Sequence, residues 1–73
     1  MKIKIIKLNL KKVEKACKLN LYQDLQDLFL NYELTLQGNT VFYDISDLDY
    51  QNAMENLFLA MNDFSSFCDF HDL

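Results

Sequence analysis

The sequence predicts an α+β domain. A strand and a later hairpin form a small three-stranded antiparallel sheet, packed on three helices in the order β-α-α-β-β-α. Three observations carry this expectation. Lysine alternates with isoleucine at the start of the chain, apolar residues recur at helical spacing from Leu10, and two alternating runs flank Gly38-Asn39. With 73 residues and about half of them apolar, the chain has the length and composition of one small globular domain, 1–73.

Residues 2–8 read as a strand, with Lys2 and Lys4 against Ile3 and Ile5. The alternation slips at Ile5-Ile6, and Leu8 and Leu10 carry the opposite parity. A bulge, or a strand buried on both faces, explains the slip. From Leu10 the spacing turns helical through Val13, Cys17, Leu21, Leu25, Leu28 and Tyr32. One long helix fits that spacing, but its lysines would sit at the positive end and its aspartates towards the negative end. A break near Asn20 reverses both penalties, and Asn20 with Gln23 has capping-box spacing. Two helices are therefore expected, at about 10–18 and 21–31.

Residues 33–37 and 40–44 flank a turn with glycine in its first position, which suits type II′. In that register Leu36 faces Val41, Leu34 faces Tyr43, Thr35 and Phe42 share the other side, and Glu33 meets Asp44 as a like-charge pair. The last helix is expected to start at Ser46 as N-cap, with Asp49 three residues on and Ile45 and Tyr50 as a hydrophobic staple. Its core stripe is Tyr50, Ala53, Met54, Leu57, Met61 and Phe64. Residues 65–73, short, aromatic and acidic, read as a frayed tail.

The charges are segregated along the chain. Residues 1–18 hold seven lysines and one glutamate, a net of +6; residues 19–73 hold ten carboxylates and no lysine or arginine, a net of −10. The overall −4 hides this division.

Several functions are disfavoured by what the chain lacks. One glycine rules out a Gly-rich phosphate loop, and one histidine (His71) rules out a two-histidine metal site within one chain. Asp44, Asp47 and Asp49 lack the spacing and central glycine of a calcium loop. Cys68 and His71 stand one helical turn apart with Asp69 and Asp72 beside them, but a tail is a poor place to hold catalytic geometry. No enzymatic activity, cofactor or metal is expected. Cys17 and Cys68 belong to no Cys-x-x-Cys pair and are expected as reduced, buried thiols. The lysines interrupt any signal-peptide or membrane-spanning run, so a cytoplasmic location is expected. Richness in Lys, Asn, Ile, Phe and Tyr hints at AT-rich coding, as in many bacteria and their phages.

Direct nucleic-acid binding through the lysines is disfavoured, because base readers lean on arginine and ten carboxylates repel phosphate. The acidic stretch points to the opposite role. Asp24, Asp27, Asp44, Asp47, Asp49, Glu55 and Asp63, spread over several elements without an intervening cation, create a negative field that attracts a basic, nucleic-acid-binding protein. Leu30 and Leu59 fall on polar helix faces, and Phe58 flanks Leu59; they are the expected dry anchors of the interface. Phe58 and Leu59 also suit a homodimer through the last helices, and a basic first helix could instead meet the acidic stretch of another copy. In size, acidity and lack of an active site the chain resembles the small inhibitors encoded by phages and mobile elements, anti-restriction and anti-CRISPR proteins among them. That resemblance is of type and rests on no shared motif. It implies occlusion of a nucleic-acid-handling partner.

Overall fold

The computed structural model describes residues 1–73. The elements are β1 (Lys2–Lys7), α1 (Leu10–Lys18), α2 (Tyr22–Leu30), β2 (Leu34–Gln37), β3 (Thr40–Asp44) and α3 (Tyr50–His71). The antiparallel sheet has the order β1-β3-β2, so the last strand in sequence is central in space. This is the expected α+β order.

The bulge falls where the alternation slips. Pairing between β1 and β3 shifts register between Lys4 and Ile6, leaving Ile5 without an opposite residue. The extra residue turns Ile6 to the side of Ile3, so that they face Val41 and Tyr43 respectively. The hairpin register also agrees, with Leu36 opposite Val41, Leu34 opposite Tyr43 and Thr35 opposite Phe42. Gly38 has φ +59 and Asn39 does not have positive φ, as a type II′ turn requires. Asn39 also clasps the end of β1: its side-chain amide donates to the Leu8 carbonyl at 3.0 Å, and its own carbonyl accepts from Leu8 N–H.

The helices break where the charges change sign. Asn20 is left-handed at φ 58; its N–H donates to the Cys17 carbonyl and that of Leu21 to the Ala16 carbonyl. These two bonds make a Schellman end to α1. The expected capping box at Asn20 and Gln23 is therefore absent. Asn20 closes α1 instead of opening α2, and Gln23 donates to Asp27 at 3.0 Å. Lys15 and Lys18 lie in the last turn of α1 and Asp24 in the first turn of α2, each favoured by the local dipole.

Two further local expectations are corrected. Glu33 is left-handed at φ 59 and precedes β2, so it makes no like-charge pair with Asp44; Lys2 lies opposite Asp44 across β1. The N-cap of α3 is Asp49, whose carboxylate accepts from Asn52 N–H at 2.8 Å. Ser46 is already engaged, donating its hydroxyl and its N–H to Asp44 at 2.6 and 2.9 Å. With the helix starting later, Ile45 and Tyr50 are exposed and form no staple.

The core lies between one sheet face and the helices. Leu34, Leu36, Val41 and Tyr43 point into it from the sheet, and Leu25, Phe29, Ala53, Ala60 and Phe64 from α2 and α3. The Phe29 and Phe64 rings pack 6.2 Å apart. In α2, Tyr22 hydroxyl donates to the Gly38 carbonyl and Gln26 to the Leu36 carbonyl, fixing that helix over the hairpin. Along α3 the buried residues are Ala53, Ala60, Phe64 and Cys68; Met54, Leu57 and Met61 are half-buried and Tyr50 is exposed. The helix continues through residues 65–71, correcting the expected frayed tail, because Cys68 is buried and Phe67 and Leu73 pack against the core. Cys17 is exposed, not buried, and both thiols are free.

Asp44 is the junction of the strand ends. Besides the two bonds from Ser46, its carboxylate pairs with the N-terminal ammonium at 3.0 Å. The Ser46 hydroxyl, then its N–H, then the ammonium hold the Asp44 carboxyl far below the ordinary carboxylate range. A carboxyl held low in the folded state adds stability above its unfolded pKa of about 4, and that stability is lost as pH falls below it. Asp44→Asn should therefore lower the melting temperature at neutral pH, with the difference from wild type shrinking in acid below about pH 4. Thermal melts across that range check the sign; a difference that grows in acid would contradict it.

Candidate functional site

Almost all of the side-chain charge in the molecule is unpaired. The one ion pair joins the N-terminus to Asp44; none of the seven lysines lies within ion-pair distance of a carboxylate. Lys15 donates instead to the backbone carbonyl of Asp72 at 2.8 Å. Lys11, Lys15 and Lys18 line the outward side of α1 with Glu14 among them. Lys2 and Lys4 are exposed on β1.

The expected acidic residues divide into two regions. Asp44, Asp47 and Asp49 lie in and beside the connection from β3 to α3. Asp24, Asp27 and Asp63 converge on a groove of about 590 Å³ between α2 and the C-terminal half of α3. Along α3, Asp49 and Asp63 are separated by roughly 20 Å at 1.5 Å per residue. Glu55 is exposed between these regions.

The groove is preorganised by neutral donors. Asp27 accepts from the Gln23 amide. Asp63 accepts from the Tyr32 hydroxyl, across from the turn that follows α2. That bond, followed by weaker effects of burial and the Asp63 charge, pushes the Tyr32 phenol pKa up. Asn56 anchors the same turn through the Tyr32 carbonyl at 2.9 Å. Asp27 and Asp63 are thus oriented without being neutralised. Leu28, Phe67 and Phe70 supply the apolar part of the lining, and His71 lies among them.

The apolar anchors do not gather in one place. Leu30, Phe58 and Leu59 are exposed at 56, 69 and 49 %. Leu59 stands one turn before Asp63 on the stripe of Ser66 and Phe70, but it does not line the groove. Phe58 is about 100° away around the helix, one turn after Met54. Met54 lines a smaller apolar groove of about 220 Å³ beside β1, with Ile3, Ile5, Tyr50 and Leu57. Leu30 lines neither groove.

Among the groove residues not expected from the sequence are Phe67, Phe70 and His71. A signal for them exists: the spacing Ala53, Leu57, Ala60, Phe64, Cys68, His71 continues the helix through the supposed tail. The arrangement offers little to covalent chemistry. Cys68 is buried, and burial pushes its thiol pKa up, with Lys12 opposing and Asp69 adding to the effect. A nucleophilic cysteine needs the reverse.

The fold and groove define a small α+β protein with an acidic groove that no lysine lines. Comparison with protein-family models, curated proteins and solved structures finds no match. No helix is long and apolar enough to cross a membrane.

Proposed function

We propose that the protein is a non-enzymatic binding module that occludes a basic, nucleic-acid-handling partner in the cytoplasm, in the manner of phage or mobile-element anti-restriction and anti-CRISPR inhibitors. The observation that carries this reading is the failure of the two charge groups to pair. An ordinary surface intersperses its signs. Here ten carboxylates share their stretch of chain with no lysine or arginine, and the lysines elsewhere neutralise none of them. Such a field favours encounter with a basic groove and competes with phosphate for the same lysines and arginines.

The test begins with a partner retained from bacterial lysate on immobilised protein. Its purified complex should weaken by at least about tenfold between about 50 and 200 mM salt. Added duplex DNA or RNA should displace the partner, and Asp47→Lys with Glu55→Lys should weaken capture. A complex indifferent to salt, to nucleic acid and to the charge reversal would overturn the proposal.

A further inference from the structure

We infer that the groove between α2 and α3 receives an arginine-bearing segment of the partner, the guanidinium stacking on Phe70 while Asp27 and Asp63 hold its charge. The inference rests on the occlusion reading and specifies where and how that contact is made. Its first support is the aromatic lip. Phe70 is 83 % exposed, yet its ring is set edge-on to His71 at 4.9 Å, and His71 in turn packs on Phe67 at 4.5 Å. A displayed aromatic face beside carboxylates matches the planar, stackable and bidentate guanidinium better than the compact lysine ammonium.

The second support is charge complementarity within a groove of ligand size. At about 590 Å³ it exceeds the needs of one side chain and admits a short segment. No lysine lines it, and Asp27 and Asp63 are held only by the neutral groups of Gln23 and Tyr32. A second copy of the chain is the less suitable occupant: its basic helix offers lysine, and the chain contains no arginine at all.

The test uses labelled oligoarginine and oligolysine peptides of equal length, titrated by fluorescence anisotropy at low salt, with amide NMR shifts to locate the contact. Oligoarginine should bind at least about threefold tighter, a preference of the size cation–π contacts give. Phe70→Ala, a change at an exposed site that leaves the core intact, should abolish the preference. Asp27→Asn with Asp63→Asn should weaken both peptides, whereas Asp47→Asn with Glu55→Gln, outside the groove, should leave the arginine preference in place. Shifts should cluster on Leu28, Asp63 and Phe70. Equal binding of the two peptides, insensitive to Phe70→Ala, would overturn the groove and leave the occlusion reading standing. Absence of binding by either peptide would remove both. Sedimentation of the free protein as a dimer that Phe70→Ala dissociates would assign the groove to a second copy and overturn the inference.

Discussion

Phe29→Ala is expected to cost about 3–5 kcal/mol, the range for deleting a buried phenyl group. Phe29 is fully buried at the centre of the core, against Phe64 from the facing helix. A domain of this length has a total stability of roughly 4–11 kcal/mol, so this one substitution removes a large share and can leave much of the chain unfolded. Urea titration followed by circular dichroism reads the effect as a fall in midpoint at similar slope. Phe42→Ala is the control. It removes the same ring from the outer sheet face, where Phe42 is only half-buried, and its cost should be markedly smaller. Equal costs at both sites would contradict the core described above.

Truncation after Phe64 is expected to lower stability by about 2–4 kcal/mol, from the apolar surface that the lost residues bury. The deletion removes buried Cys68, the core contacts of Phe67 and Leu73, and the bond from Lys15 to the Asp72 carbonyl. For a chain of this size that corresponds to a fall of roughly 10–30 °C in melting temperature. A frayed tail would be removed at no cost, so an unchanged melt would contradict the continuous helix. The single substitution Phe70→Ala should leave the melt nearly unchanged, which separates the role of the lip from the role of the segment.

The strands were legible because their signals are local. Lys-Ile alternation, the slip at Ile5-Ile6 and glycine at the first turn position each follow from the two-residue period of a sheet. The split between α1 and α2 was legible from charge, although the sequence assigned Asn20 to the wrong helix. The start of α3 was misread because Ser46 and Asp49 are both good caps. The choice falls to Asp44, whose carboxylate takes up Ser46 and which is itself held by an ammonium 43 residues away. Glu33 was misread because a left-handed glutamate has no local signature. The acidic residues lie at the surface, with Asp44 half-buried, but their grouping was hidden. Asp24 and Asp27 meet Asp63 only through the packing of α2 on α3, and an amphipathic pattern within one helix carries no record of that contact. Phe70 was lost for a simpler reason: an exposed aromatic near a terminus looks like disorder when read without its neighbours.

The central place of β3 has a consequence for the chain as it is made. Each paired residue of β1 finds its partner in β3 between 33 and 42 positions later. During synthesis the first strand therefore emerges with no native neighbour, and it must stay unpaired until both helices and the hairpin have followed. An apolar strand exposed for that interval is an invitation to aggregate. The lysines at positions 2, 4 and 7 stand between its isoleucines as gatekeepers. Part of the positive charge can thus be read as protection of the nascent chain, useful before there is any surface to present to a partner.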